Sequence, residues 1–193
     1  MIFKAKNITV EIDYFSTIMV SLLLCIDKCS VMLPAMLAAF FHELGHTLAM
    51  LFLGGRIKSV CLKPWGILID CVDYCLSPIA RILILASGPI INLVIAASLF
   101  SFNVNFCAVN IVCAVLNLLP CYNLDGGEIL TVGLEQRLSQ AVTAKIMTVL
   151  TLVISVVLMI FGFKIVVYSM NPSLLVVGAY ILIMMLLAKL KTK

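Results

Sequence analysis

The sequence is short of charged residues. Only 11% of its 193 residues are Asp, Glu, Lys or Arg, whereas 64% are hydrophobic. Soluble domains are roughly 45–50% apolar, and a water-facing surface for a chain of this length cannot be built from so few charges. Together with a mean hydropathy of +1.23, this shortage excludes an ordinary soluble domain and indicates a membrane protein.

Other absences narrow the possible functions. No basic patch with interleaved aromatic residues accompanies the net charge of +4, so nucleic acid is not expected as a partner. No small-residue cleavage site follows the first apolar run, which Glu11 and Asp13 precede, and this argues against a cleaved signal peptide. No CxxC occurs among the eight cysteines, so we interpret them as apolar packing residues rather than redox or metal groups.

Apolar runs predict the membrane spans, which need about 20 residues each. The six predicted spans are roughly Ile12–Ile26, Cys29–Leu53, Ile79–Phe100, Val104–Leu119, Ala141–Phe163 and Ser173–Ala188. The first of them is short, and whether it crosses fully is left open. The predicted fold is an all-α polytopic membrane bundle of about six transmembrane helices, in a single transmembrane domain over residues 1–193.

Basic residues predict the orientation, because Lys and Arg in short loops favour the cytoplasmic side. With six spans and both ends on one side, the opposite side holds only Lys28 and Lys164 of the 13 Lys and Arg residues. Both termini are therefore expected in the cytoplasm, and the chain is expected to be a multi-pass protein of a bacterial cell membrane.

Two non-helical stretches are predicted, one before the first span and one after the second. The alternating run Ile8–Ile12 suits a β-strand. Ile57–Leu62 and Ile67–Val72 are separated by the turn residues Lys63–Gly66. These stretches predict a small cytoplasmic β-hairpin, with which the N-terminal strand can pair.

The chemistry begins in the second span with His42-Glu43-Leu44-Gly45-His46, an HExxH sequence. Residues four apart lie on one face of a helix, so both imidazoles can reach a single zinc ion. Glu43 lies beside them and can deprotonate the attacking water. A lone His could instead be a hydrogen-bonded residue of the protein core. A polar cluster inside a membrane span, however, is normally functional.

A catalytic zinc needs a third protein ligand and an open position. The chain has no third His, so the ligand must be a carboxylate, a thiolate or a distant group. Asp125 is the best candidate, because Pro120 ends or kinks the fourth helix and Gly126 and Gly127 allow a tight turn after it. The alternative for Asp125 is a helix cap. We expect one zinc ion per chain.

Several other polar or kinked positions are candidates for positioning substrate. Asn117 and Asn123 can hold the substrate backbone or the oxyanion, or can make ordinary interhelical hydrogen bonds. Gly88 and Pro89 interrupt the third span and allow close packing and a kink, and Asn92 can bond across helices. For these three, packing and substrate positioning both remain open.

The chain resembles the site-two protease family of intramembrane zinc metalloproteases in a combination of three segments: HELGH, Gly88-Pro89-Ile90-Ile91-Asn92 and Asn117–Gly127. Arg56–Gly66 and Asn117–Gly127 resemble the branch of the stage IV sporulation protein FB. The resemblance implies that His42, His46 and Asp125 bind zinc, that Glu43 is the general base and that Asn117 lies near the substrate. Leu124 stands where many relatives have Pro, and neither a PDZ domain nor a nucleotide-sensing regulatory domain is expected.

The predicted function is hydrolysis of a peptide bond in or near the transmembrane segment of a membrane-associated protein, such as a membrane-tethered transcription or sigma factor. The lipid bilayer and a membrane regulatory protein are the other expected partners. A non-catalytic zinc-binding chaperone or scaffold is the alternative, although it predicts a missing base and Glu43 is present. A transporter would need several acidic residues in its spans and usually internal repeats, and neither is found.

Overall fold

The computed structural model describes residues 2–5, 8–12, 31–54, 57–63, 66–71, 77–169 and 172–191. These residues form four β-strands and six α-helices. The chain divides into two compact units, Met1–Leu116 and Asn117–Lys193. The expectation that the whole chain works as one transmembrane domain stays a prediction.

The helices of the first unit lie close to the predicted spans. They are α1 (Met32–Phe52), α2 (Pro78–Leu99) and α3 (Val104–Asn117), whose last residue belongs to the second unit. The start of α2 is set locally, because the Ser77 hydroxyl accepts a hydrogen bond from the Ala80 amide at 3.2 Å and Pro78 occupies the first turn. Helices α1 and α2 pack against each other.

A four-stranded sheet with the strand order β1-β2-β3-β4 belongs to the first unit. Its strands are β1 (Ile2–Ala5), β2 (Ile8–Ile12), β3 (Ile57–Lys63) and β4 (Gly66–Cys71). β3 and β4 pair antiparallel, and β2 pairs parallel to β3 with Thr9 opposite Ser59. The alternating runs predict β2, β3 and β4, whereas β1 is not among the predicted elements. The cytoplasmic location of the sheet stays a prediction. Apart from Ile12, the predicted first span lies outside the described residues.

The second unit holds α4 (Asp125–Glu135), α5 (Gln140–Ser169) and α6 (Ser173–Lys191). Helices α5 and α6 pack closely, since a Cβ atom at Gly162 would lie 2.5 Å from the Leu175 amide nitrogen. Helix α4 is not among the predicted elements. Its 11 residues are too few for a membrane span, so a search for long apolar runs passes over it.

Apolar helices identify the chain as an integral membrane protein. Among the described residues, three helices are long and apolar enough to cross a membrane, Met32–Phe52, Pro78–Leu99 and Gln140–Tyr168, and two shorter apolar helices are Val104–Asn117 and Ser173–Leu187. Many large apolar side chains on them are exposed, whereas small or polar residues such as Ala38, Asn92, Thr151 and Ser155 are fully buried. This inverted pattern is typical of helices that pack through small and polar residues within lipid.

Candidate metal centre

The histidine pair occupies the middle of α1, which runs from Met32 to Phe52. His42 is buried and His46 is half-buried. Their rings meet edge to face with centroids 4.7 Å apart, and the two Nε2 atoms approach to 3.1 Å. The four-residue spacing therefore does what the sequence predicts, and it directs one nitrogen of each ring to the same point.

A backbone carbonyl from the neighbouring helix orients His46. Its Nδ1 atom lies 2.7 Å from the carbonyl oxygen of Ile84 in α2. A carbonyl can only accept a hydrogen bond, so Nδ1 carries the proton and Nε2 keeps its lone pair. Metal-binding histidines are usually held in this way, with the second ring nitrogen bonded to a carbonyl or carboxylate.

Glycines let α1 and α2 approach closely enough for this contact. A Cβ atom at Gly88 would lie 2.5 Å from Nε2 of His46 and 2.9 Å from Cε1 of His42. On α1, a Cβ atom at Gly45 would lie 2.8 Å from the carbonyl oxygen of Ser87. Gly88 thus leaves the space that the two imidazoles occupy. This role is more specific than the close packing and kink that the sequence indicates.

Pro89 and Asn92 continue the packing face of α2. Pro89 is buried within the helix and has no amide hydrogen to donate to Leu85, one residue after the Ile84 carbonyl that holds His46. Asn92 is fully buried, and its side-chain amide donates to the carbonyl of Ala38 at 3.3 Å. Asn92 therefore makes the interhelical hydrogen bond that is one of its two predicted roles.

Glu43 follows His42 on α1 and is half-buried. At 100° per residue it lies on the flank of the histidine face rather than on it. Its backbone carbonyl accepts a hydrogen bond from the Thr47 hydroxyl at 2.8 Å, which is within the same helix. Glu43 is thus next to the histidine pair on the same helix, and its role as a proton acceptor that is not a ligand stays a prediction.

In the second unit, Asp125 is the first residue of α4, and the N-cap is Leu124 in an extended conformation. A carboxylate in the first turn is favoured by the helix dipole. Glycine is required at the next two positions, because a Cβ atom at Gly126 would overlap the backbone of Leu118 and one at Gly127 would overlap that of Cys121. The chain between α3 and α4 therefore folds directly onto the first turn that carries Asp125.

The remaining polar candidates lie in or beside the same connection. Asn117 ends α3, and Asn123 is exposed with a φ of 64°, a left-handed conformation that Asn adopts more readily than most residues. The tight turn between Pro120 and Asp125 thus depends in part on Asn123. Its role toward substrate, and that of Asn117, remain predictions.

A thiolate ligand is the alternative for the third position, and Cys121 is the cysteine that lies nearest to Asp125 in the sequence. Cys121 is fully buried. Burial raises the pKa of its thiol to about 11, so the group is protonated at neutral pH. A metal ion would have to displace that proton before Cys121 could serve as a ligand.

Sequence reasoning missed two features of these sites. The first is the Ile84 carbonyl that orients His46. It is a backbone group, so the residue type at position 84 gives no indication of this role. The hydroxyl of Thr151 in α5 accepts a hydrogen bond from the Tyr122 amide at 3.0 Å. A signal for Thr151 exists in the sequence, since Thr143, Thr151 and Ser155 recur at multiples of four within an apolar span.

Comparison with known proteins agrees with this architecture. Residues 100–161 match the family model of Peptidase family M50; this stretch includes α3, Asp125 and α4 but not the histidine helix. The chain is similar in structure to the "Site-2 Protease from Methanocaldococcus jannaschii", with a TM-score of 0.64 and 20% identity, over 94% of this chain and 91% of that one. A search of curated proteins found no match.

The chain thus has the fold of a site-2 protease, as the motif resemblance predicts. The comparisons do not distinguish the branch of the stage IV sporulation protein FB, so that finer assignment stays a prediction.

Proposed function

We propose that the protein is an intramembrane zinc metalloprotease that hydrolyses a peptide bond in or near the transmembrane segment of a membrane-associated protein. The observation that carries this proposal is the histidine pair of α1, with both Nε2 atoms converging at 3.1 Å and Glu43 beside them. An integral membrane helix has no packing reason to place two imidazoles and a carboxylate together at its centre.

Donor chemistry and geometry fit a zinc ion. Two nitrogens at about 2.0–2.1 Å from a tetrahedral zinc stand about 3.3 Å apart, close to the separation of the two Nε2 atoms. His42, His46 and Asp125 each offer one ligand atom for a metal. Two imidazoles and one carboxylate form a typical catalytic ligand set, which leaves the fourth position open for water. We assign one zinc ion per chain to these three residues.

The zinc ligands, Glu43 and the Ile84 carbonyl then have distinct roles in hydrolysis. When bound, the zinc supplies Lewis acidity that polarises the scissile carbonyl and acidifies water. Glu43 takes the proton of the water whose oxygen attacks the carbonyl carbon, and returns it to the amide nitrogen as the carbon–nitrogen bond breaks. The Ile84 carbonyl holds His46 in the correct tautomer throughout.

Substrate must reach this chemistry in an extended form, because helical carbonyls are already hydrogen-bonded. The strand order leaves β1 and β4 as the edges of the sheet, and an edge strand can take up an extended segment by strand addition. Asn117 and Asn123 are proposed to hold substrate groups. Membrane-tethered transcription or sigma factors are suitable substrates, and a membrane protein is a suitable regulator.

Co-expression with such a membrane-tethered factor tests the proposal. Glu43→Gln keeps the size of the side chain but removes the proton acceptor, so cleavage is expected to fall by at least about 10²-fold, the lower end for a general base. Zinc content is expected to remain as in the wild type, because Glu43 is not a ligand. Equal effects of the wild type and Glu43→Gln on the co-expressed factor would favour the non-catalytic chaperone or scaffold instead.

A further inference from the structure

The connection that leads into Asp125 is tied to α5 at two points. We call residues 118–124 the ligand loop. The Tyr122 amide donates to the Thr151 hydroxyl at 3.0 Å, and the Tyr122 hydroxyl donates to the Ala144 carbonyl at 3.0 Å. One tyrosine therefore joins the loop to α5 through both its backbone and its side chain, across about two helical turns.

The face of α5 that receives the loop is buried and mostly polar. Thr143, Met147, Thr151 and Ser155 recur every four residues and are each at most 1% exposed. The Ser155 hydroxyl donates to the Thr151 carbonyl at 2.8 Å, which satisfies Ser155 within its own helix. The Thr151 hydroxyl differs, because it satisfies a backbone amide that lies outside the helix and has no helical partner.

The ligand loop passes any displacement directly to Asp125. The Leu124 amide donates to the Cys121 carbonyl at 3.2 Å, and Leu124 is the N-cap of the helix that Asp125 begins. Gly127 has no room for even a methyl group against Cys121. Tyr122 lies inside this compact turn, between Cys121 and Leu124, so the turn that carries its amide is packed against the first turn of α4.

We propose that Thr151 is a positioning residue: it holds the Tyr122 amide and thereby sets the place of the Asp125 carboxylate. This inference rests on the proposed function, in which Asp125 is a zinc ligand. Thr151 touches neither metal nor substrate, and it acts as the outermost support of one ligand.

Three variants of the full chain, purified in detergent, test the proposal. Thr151→Val keeps the shape of the side chain but leaves the partly buried Tyr122 amide without its acceptor. Thr151→Ser keeps the hydroxyl and loses only a methyl group. Thr148→Val is the matched control, because Thr148 is a half-buried threonine of the same helix whose hydroxyl donates to the Ala144 carbonyl at 2.8 Å and accepts nothing from the Tyr122 amide. The Ala144 carbonyl keeps its bond from the Tyr122 hydroxyl in this variant and loses only the second donor.

The first measurement is retention of zinc against a chelator. Loss of a supporting contact typically weakens metal binding 10- to 100-fold, and we expect about tenfold for Thr151→Val. Thr151→Ser and Thr148→Val should retain zinc as the wild type does. Rescue by serine separates the hydrogen bond from packing, because serine restores the acceptor and not the volume.

The second measurement needs no metal. Cys121 is 0% exposed, so its alkylation, resolved by mass spectrometry, reports whether the ligand loop stays on α5. Thr151→Val should raise alkylation of Cys121 and the other two variants should not. Wild-type zinc retention and alkylation in Thr151→Val, or equal changes in Thr148→Val, would overturn the proposal. If the wild type binds no zinc, the proposed function fails, and alkylation alone decides whether Thr151 holds the loop.

Discussion

Gly88→Ala is a change of one methyl group that should disrupt the metal centre. The added Cβ atom would lie 2.5 Å from Nε2 and 2.6 Å from Cε1 of His46, and 2.9 Å from Cε1 of His42. Ordinary contacts begin at 3.4 Å, so the His46 ring must retreat by about 1 Å. The ring cannot retreat freely, because the Ile84 carbonyl holds its other nitrogen at 2.7 Å.

The expected magnitudes separate the site from the fold. Displacement of a catalytic group by about 1 Å costs about 10²-fold in rate, and we expect a loss of that order in proteolysis together with a 10- to 100-fold loss in zinc affinity. Alanine favours the helix by about 1 kcal/mol over glycine, whereas overpacking costs about 1–3 kcal/mol. The free energy of unfolding should therefore fall by no more than about 2 kcal/mol.

The assay compares zinc content, cleavage of a co-expressed substrate and thermal unfolding in detergent. Gly133→Ala is the matched control, because Gly133 lies in helix α4 and a Cβ atom there would meet nothing within 4 Å. It should keep full activity and zinc. A Gly88→Ala protein with wild-type zinc and proteolysis would refute the reasoning, since the imidazoles would then not need the space that Gly88 leaves.

Three further predictions follow from the sites and from the charge pattern. Asp125→Ala should lose most of the zinc, whereas Glu128→Ala, an exposed acid of the same helical turn, should keep it; equal zinc in the two would remove Asp125 from the site. Reporter fusions at Lys4 and Lys193 should both report the cytoplasm, and opposite signals would mean an odd number of spans. The cut, located by mass spectrometry of the released fragment, should lie in the cytoplasmic half of the substrate span or just beyond it. The reason is that His42 lies about 15 Å and His46 about 9 Å from the C-terminal end of α1, and Asp125 follows the expected cytoplasmic end of α3. A terminus in the outer half would contradict the predicted orientation.

Patterns that act over a few residues predict much of this protein. Long apolar runs have one physical solution in lipid, a helix that satisfies its own backbone, and five predicted spans accordingly match described helices. The spacing of His42 and His46 is a local property of any helix, so their convergence follows without knowledge of the fold. The alternating runs and the turn between them likewise predict β2, β3 and β4 of the sheet.

Other features depend on groups that only folding brings together. The Ile84 carbonyl orients His46 from another helix, and Gly88 is required because of what stands opposite it. Thr151 supports the ligand loop from a position 29 residues beyond Tyr122. Helix α4 was not predicted because its 11 residues of mixed polarity are too few to form an apolar run of span length. Its first turn is also stabilised by the loop that folds onto it. The sequence by itself determined which groups can do the chemistry, since residue type and helical spacing are local. Tertiary structure decided which carbonyl, glycine and hydroxyl hold those groups in place, because these contacts join residues far apart in the chain.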